Sequence, residues 1–216
     1  MNIEKNVEQV QQDIQACQRD REKVRIVAAT KYVNVEQMKR LYDCGITIMG
    51  ENRVDALLEK KAQLHLPIEW HFIGTLQSRK VKEVINEIDV LHSLDRLSLA
   101  KEIEKYRDKP LKCLIQVNIS GEKTKHGLAK DEVVTFIEQL NSFSKIEVIG
   151  LMTMAPNTEN ELTLRRCFSE LKQLQLDLEK NYKSCQELSM GMSNDYLIAV
   201  EEGATYVRLG SILFQD

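Results

Sequence analysis

Short apolar runs rich in β-branched residues alternate with amphipathic helical stretches along almost the whole chain. The runs predict strands at residues 24–30, 47–50, 68–74, 89–93, 111–119, 147–152, 187–190 and 206–209. Helices are predicted between them at residues 35–44, 53–64, 79–88, 96–107, 130–143, 161–182 and 195–202. Repeated βα units fold either as a doubly wound sheet or as a closed barrel. Eight uninterrupted strands favour a single (β/α)8 TIM barrel of the α/β class.

One further helix is predicted ahead of the barrel. Ile3, Val7, Val10 and Ile14 recur at spacings of three and four, which is the period of an amphipathic helix. No Pro-rich or Gly-rich linker interrupts the pattern after it, and the three prolines fall in predicted connections. We therefore predict that residues 1–216 form one domain with an extra helix at its N-terminus.

Composition excludes several functional classes. The net charge is -3 and the basic residues are spread along the chain, which argues against a nucleic-acid surface. The five cysteines include no CxxC pair, so they are expected to be reduced thiols of a cytoplasmic protein. A polar N-terminus and the absence of a long apolar run argue against secretion and membrane insertion. The four histidines lack metal-ligand spacing, so no metal site is predicted and only His71 remains of interest.

Polar and glycine residues gather where the predicted strands end. The carboxyl ends of barrel strands converge on one face, so residues distant in sequence become neighbours there. The candidate site residues at these ends are Lys31, Asn52, His71, Asn118, Met152, Thr153, Ser189, Ser193, Arg208, Gly210 and Ser211. Such a set is difficult to explain by core packing alone.

Lys31 directly follows the first predicted strand. At the edge of a pocket its amine is expected to be partly desolvated, which favours the neutral nucleophile that condenses with an aldehyde. The alternative is a strand-end lysine that simply reaches solvent, since most lysines are exposed. Position alone does not decide between them.

Two turns rich in glycine and serine follow the seventh and eighth strands, at residues 189–193 and 208–211. Many barrels bind phosphate at these turns, where glycine permits close backbone approach and hydroxyls add donors. A phosphate site together with a strand-end amine suggests pyridoxal 5'-phosphate (PLP) as a cofactor. Arg208 then serves either as a donor to the pyridine nitrogen or as a direct clamp on the phosphate.

Several ordered motifs resemble the pyridoxal phosphate homeostasis protein family of the YggS type. They are Ala28-Ala29-Thr30-Lys31, Gly50-Glu51-Asn52, the segment 70–78, Gln116-Val117-Asn118-Ile119, Lys125-His126-Gly127, Gly150-Leu151-Met152, the segment 189–193 and the segment 207–211. The resemblance covers nearly the whole chain and implies a barrel like the N-terminal domain of alanine racemase.

The resemblance also implies roles for single residues. PLP is expected as an imine on Lys31, with phosphate contacts from Ser193, Gly210 and Ser211 and a ring-nitrogen contact from Arg208. Asn52 and His71 are expected to line the pocket, and Met152 and Ser189 complete the candidate cofactor-binding set. The tail at 212–216 departs from the family, which usually has glycine after the phenylalanine.

Three functions remain compatible with these residues. An amino-acid racemase needs a second proton-transfer group opposite Lys31, and the chain ends soon after the eighth strand without the further β-domain that supplies a tyrosine in racemases. A Schiff-base enzyme of the aldolase kind would instead form its imine with substrate. The expected function is a non-catalytic PLP carrier that acts in vitamin B6 homeostasis. We expect a monomer that passes PLP to PLP-dependent apoenzymes.

Overall fold

The computed structural model describes residues 2–17, 23–123 and 126–215. The strands are β1 (Arg25–Ala29), β2 (Ile48–Glu51), β3 (Glu69–Phe72), β4 (Val90–Leu94), β5 (Leu111–Gln116), β6 (Ile146–Met152), β7 (Glu187–Met192) and β8 (Tyr206–Leu209). The helices are α1 (Ile3–Cys17), α2 (Val35–Asp43), α3 (Val54–Gln63), α4 (Val81–Val84), α5 (Leu97–Tyr106), α6 (Val133–Leu140), α7 (Glu161–Glu179), α8 (Tyr196–Glu201) and α9 (Ser211–Phe214).

The strands form a closed barrel in chain order, and every neighbouring pair is parallel. The closing pair joins β1 to β8, with Ala28 opposite Leu209. Helices follow the strands as the alternating sequence pattern predicts, because a parallel connection must cross back over the sheet. The predicted (β/α)8 barrel is therefore confirmed.

Alternation along each strand divides the buried apolar residues into two layers. On β1, Val27 belongs to the cluster inside the barrel, whereas Ala28 belongs to the layer between strands and helices. The interior cluster consists of Val27, Ile48, Val90, Leu114, Ile149, Met152 and Tyr206. Side chains of this cluster thus fill the barrel interior.

Helix α1 covers one side of the barrel, as its periodicity predicts. Ile3, Val7, Val10 and Ile14 are all buried, and the helix packs against α2, α8 and α9. The side chain of Asn6 donates hydrogen bonds to the carbonyl oxygens of residues 213 and 215. The extra N-terminal helix therefore fastens the last helix of the chain to the barrel.

Several predicted boundaries differ from the structure, and the strand predicted at 111–119, for example, ends at Gln116. The helix expected at 79–88 is a 3-10 turn at Ser78–Lys80 followed by the short α4, and the carbonyl oxygens of Ile85 and Ile88 beyond it accept hydrogen bonds from Arg107. Strand β3 ends at Phe72 instead of residue 74. Helix α9 lies in a tail for which no helix was predicted.

Within the described residues, no helix has both the length and the apolar character needed to cross a lipid bilayer.

Candidate functional site

A pocket of about 360 Å³ opens at the carboxyl ends of the barrel strands. Its polar lining includes Lys31, Asn52, Gln116, Asn118, His126 and Arg208, which lie on or follow four different strands. Apolar groups of Ala29, Ile73 and Met154 complete part of the wall. A pocket of this size, with a few converging polar groups in an apolar lining, suits a small molecule.

Lys31 lies at the mouth of this pocket, two residues beyond the end of β1. The residue is exposed, and its Nζ lies 4.8 Å from the centre of the Tyr32 ring. The expectation of a partly desolvated amine is therefore wrong for this conformation. The physical reason is that the chain has already left the barrel, so the side chain starts beyond the last buried residue, Thr30.

A buried ion pair that sequence reasoning missed holds the backbone ahead of Lys31. Lys60 Nζ donates hydrogen bonds of 2.6 Å both to Glu51 Oε1 and to the carbonyl oxygen of Thr30. The Thr30 hydroxyl also donates to Glu51 Oε1, at 2.6 Å. Glu51 is fully buried, so these partners take the place of the water that its side chain loses. The pair fixes the position from which the Lys31 side chain departs.

Arg208 extends from β8 and reaches the pocket from inside the barrel. It donates hydrogen bonds of 2.5 Å to Ser189 Oγ and 3.0 Å to the carbonyl oxygen of Thr153. Burial lowers the pKa of Arg208 to about 10, and the charge of Asp195 acts in the opposite direction. The guanidinium therefore stays positive at neutral pH. It gives the pocket a fixed cation with defined geometry.

The two turns predicted to bind phosphate are joined by one hydroxyl. Ser193 Oγ accepts hydrogen bonds of 3.2 Å from the Gly210 amide and 3.4 Å from the Ile212 amide. Ser193 follows the pocket residue Met192, and the exposed Ser211 begins α9. The ends of β7 and β8 thus bring Ser193, Gly210 and Ser211 to one edge of the barrel.

Glycine has a demonstrable steric role in one of these turns but not at Gly210. Gly191 has a φ of +95°, and a Cβ there would lie 2.6 Å from the Cβ of Ala199. A Cβ at Gly210 would meet Ala29 at 3.5 Å, which is ordinary contact. Close backbone approach therefore explains Gly191, whereas space alone does not require glycine at 210.

Three predicted site residues lie inside the barrel and do not line the pocket. His71 is fully buried on β3, two residues before the pocket residue Ile73, because it points inward at a deeper level of the strand. Met152 packs in the interior apolar cluster. Ser189 is buried and contacts Arg208 from the side of the barrel interior.

His126 lines the pocket although its spacing pointed to no site. Gln116, also in the lining, donates a hydrogen bond of 3.4 Å to the His126 carbonyl oxygen. The motif 125–127 was the sequence signal that could have identified it. Gly127 in that motif has a φ of +114°, and a Cβ would lie 2.9 Å from the Asn118 amide nitrogen. Lys125 lies outside the described residues.

Among residues 2–17, 23–123 and 126–215, no group of three or more His, Cys, Asp or Glu side chains is arranged to hold a metal ion.

The fold and site define a class: a racemase-type (β/α)8 barrel with a lysine and a buried arginine at one pocket. The family described as the N-terminal domain of alanine racemase matches residues 1–216. Alanine racemase from Corynebacterium glutamicum shares the fold, with a TM-score of 0.80 at 13% identity over 98% of this chain and 60% of that one.

Closer relatives narrow the class. The pyridoxal phosphate homeostasis protein of Aquifex aeolicus is 38% identical over 97% of this chain and 94% of its own length. The pyridoxal phosphate homeostasis protein of Vibrio alginolyticus is 37% identical over 99% of this chain and 95% of its own length. The structure of PipY from Synechococcus elongatus with PLP bound has a TM-score of 0.88 at 27% identity. The match covers 99% of this chain and 100% of the PipY chain. The chain belongs to the pyridoxal phosphate homeostasis protein family.

Proposed function

We propose that this chain binds PLP in the pocket at the strand ends and acts in intracellular PLP homeostasis. One observation carries the proposal: the Lys31 amine and the Arg208 guanidinium line the same pocket of about 360 Å³. The membership of the chain in the pyridoxal phosphate homeostasis protein family supports it, as does the PLP-bound structure of PipY.

The donor set fits the three functional groups of PLP. Lys31 offers a primary amine, Arg208 offers a fixed cationic donor, and the turns with Ser193 and Ser211 offer hydroxyl and amide donors. PLP supplies an aldehyde for a lysine, a pyridine nitrogen and a phosphate. Each ligand group therefore has a chemically matching partner at this end of the barrel.

We assign the following roles to the site residues. Lys31 attaches the cofactor covalently, and Arg208 meets the ring nitrogen. Ser193, Gly210 and Ser211 hold the phosphate, and Asn52 contacts the ligand from the pocket wall. Met152 and Ser189 support the site from the barrel interior. The buried position of His71 assigns it a supporting role as well.

The protein is proposed to carry PLP in the cytoplasm and to release it to PLP-dependent apoenzymes, without efficient turnover. The names of the relatives support a homeostatic role. We also propose that the protein binds PLP as a monomer. We also propose that residues 1–216 act as one domain, since α1 packs on the barrel.

Borohydride reduction of the PLP-loaded protein, followed by peptide mass mapping, tests the site. We expect a pyridoxyl phosphate adduct on the peptide that contains Lys31. Lys31→Met should lose the adduct, whereas Lys39→Met, which removes an exposed lysine of α2, should keep it. An unmodified Lys31 in protein loaded with excess PLP would contradict the proposal.

One observation supports a second candidate function, weak amino-acid racemisation. His126 lines the same pocket as Lys31, and an imidazole is the side chain that most often serves as a general acid or base. Exchange of the alanine α-proton in D2O, followed by NMR, separates the two functions. Exchange that is abolished by His126→Ala would favour a racemase, whereas a carrier should show none above free PLP.

A further inference from the structure

A chain of hydrogen bonds crosses the barrel interior from its amino-terminal end to the pocket. We call it the interior relay; in order, it consists of Glu69, His71, His92, Ser189 and Arg208. His71 Nε2 lies 2.9 Å from Glu69 Oε1, and His71 Nδ1 lies 2.7 Å from His92 Nε2. His92 Nδ1 lies 2.8 Å from Ser189 Oγ, to which Arg208 donates at 2.5 Å. The relay thus connects four strands, β3, β4, β7 and β8.

The Glu69 end of the relay fixes its direction. A guanidinium has only donors, so Ser189 Oγ accepts from Arg208, and its own hydrogen is free to be donated to another acceptor. A carboxylate only accepts, so His71 Nε2 must carry the hydrogen that faces Glu69. With both imidazoles neutral, each donates through Nε2 and accepts through Nδ1. His92 Nδ1 then accepts the hydrogen of the Ser189 hydroxyl, so the Glu69 end sets the direction of the relay and the Arg208 end is compatible with it.

The charges agree with this arrangement. Burial lowers the pKa of both His71 and His92, which keeps the two rings neutral. The hydrogen bond from His71 lowers the pKa of Glu69, which keeps that side chain a carboxylate. Arg208, at the other end, is a buried cation whose partners Ser189 and Thr153 are uncharged. Two neutral imidazoles and a hydroxyl thus separate a carboxylate from a guanidinium.

We propose that the interior relay positions the Arg208 guanidinium for a ligand acceptor in the pocket, so that His71 and His92 act as positioning residues although neither lines the pocket. Each terminal nitrogen of Arg208 uses one N–H in the bonds to Ser189 and Thr153 and carries a second N–H. Because the guanidinium is planar, the hydrogen bonds to Ser189 and Thr153 also fix the direction of the two remaining N–H groups. The inference rests on the proposed function, because the acceptor is the ring nitrogen of PLP.

Nitrogen-15 NMR of the imidazoles in the ligand-free protein tests whether the relay exists. At pH 7 we expect His71 and His92 to be neutral and to carry hydrogen on Nε2. The exposed His65 and His126 supply reference signals in the same spectrum. A charged ring, or hydrogen on Nδ1 of either buried histidine, would overturn the assignment.

The positioning role is tested with two ligands and two variants. PLP has a ring nitrogen, whereas 1-deaza-PLP has a carbon at that position and offers Arg208 no acceptor. We expect Ser189→Ala to weaken PLP binding about tenfold, a typical loss for a hydrogen bond to a charged group. The same variant should leave the affinity for 1-deaza-PLP unchanged.

Ser93→Ala is the matched control. Ser93 is a buried serine on β4 whose hydroxyl has no hydrogen-bond partner among the described residues, so its removal should change neither affinity. Equal weakening of both ligands by Ser189→Ala would indicate a general structural defect and overturn the positioning role, as would no weakening of either. Wild-type protein that binds neither ligand would instead remove the proposed function, whereas the imidazole spectrum would still decide whether the relay exists.

Discussion

Glu51 and Lys60 form the buried ion pair that holds the end of β1 ahead of Lys31. Lys60→Met would remove the cation and leave the Glu51 carboxylate buried without it. We expect the free energy of unfolding to fall by about 3–5 kcal/mol, the usual cost of breaking a buried pair. Urea denaturation followed by circular dichroism measures the change.

Lys61→Met is the control for that variant, since Lys61 pairs with Glu87 near the surface. A surface pair contributes only about 0–1 kcal/mol. The double variant Glu51→Gln with Lys60→Met should recover part of the lost stability, because no uncompensated charge remains buried. Equal losses for Lys60→Met and Lys61→Met would mean that the buried pair does not stabilise the strand end.

His71 and His92 make stability sensitive to mild acid. Burial lowers the pKa of both rings below 6.5, so below about pH 6.5 the unfolded chain binds protons that the folded chain excludes. The free energy of unfolding should therefore decrease as pH falls from 6.5, by up to ~1.4 kcal/mol per pH unit for each ring. Urea denaturation at pH 7.5 and 5.5 measures this loss.

A comparison of variants isolates the contribution of the buried rings from that of carboxylates. His92→Gln should reduce the loss between pH 7.5 and 5.5, whatever its stability at neutral pH. His65→Gln leaves both buried imidazoles in place and should retain the full loss. An identical pH dependence in all three proteins would show that the pKa of His92 does not differ between the folded and the unfolded chain.

At the scale of elements, the approach of β6 to β7 depends on Gly150. A Cβ at this position would lie 1.9 Å from the carbonyl oxygen of Glu187, which is backbone and cannot turn away. Gly150→Ala should therefore separate the two strands and cost about 3 kcal/mol or more. Gly45→Ala is the comparison, because a Cβ there meets no atom within 4 Å and only the φ of +86° opposes it. That variant should cost about 1–2 kcal/mol in thermal or urea unfolding.

The sequence predicted the elements well wherever local patterning controls them. Strands such as β1 and β8 lie within one residue of their predicted limits, because β-branched apolar runs favour strands. The helix expected at 79–88 is reduced to the short α4, and the segment after it is held by hydrogen bonds from Arg107, distant in sequence, to the carbonyl oxygens of Ile85 and Ile88. Boundaries set by long-range hydrogen bonds carry no local signal.

At the scale of the whole molecule, barrel closure couples the first and last strands. Hydrogen bonds between β1 and β8 join chain segments about 180 residues apart in sequence, and α1 fastens α9 to the barrel. We expect a single cooperative unfolding transition, in which circular dichroism and the fluorescence of the only tryptophan, Trp70, coincide. Two separated transitions would contradict one domain.

The same experiment reports ligand binding. PLP bound only by the folded barrel should raise the free energy of unfolding by about 2.7 kcal/mol at a hundredfold excess over its dissociation constant. Lys31→Met should lose most of this increase, whereas Lys39→Met should keep it. A transition that PLP does not shift would count against binding to the native state.

The sequence by itself determined the class of fold and the convergence of Lys31 and Arg208 at one end of a barrel. Both follow from strand periodicity and from the rule that carboxyl strand ends meet. Only the tertiary structure decided which inward-facing residues reach the pocket and which remain below it. Depth along a strand depends on register and barrel tilt, which no local pattern encodes. His71 therefore lies in the interior, whereas His126 lines the pocket. The interior relay depends on side chains from four strands, which come together only in the closed barrel.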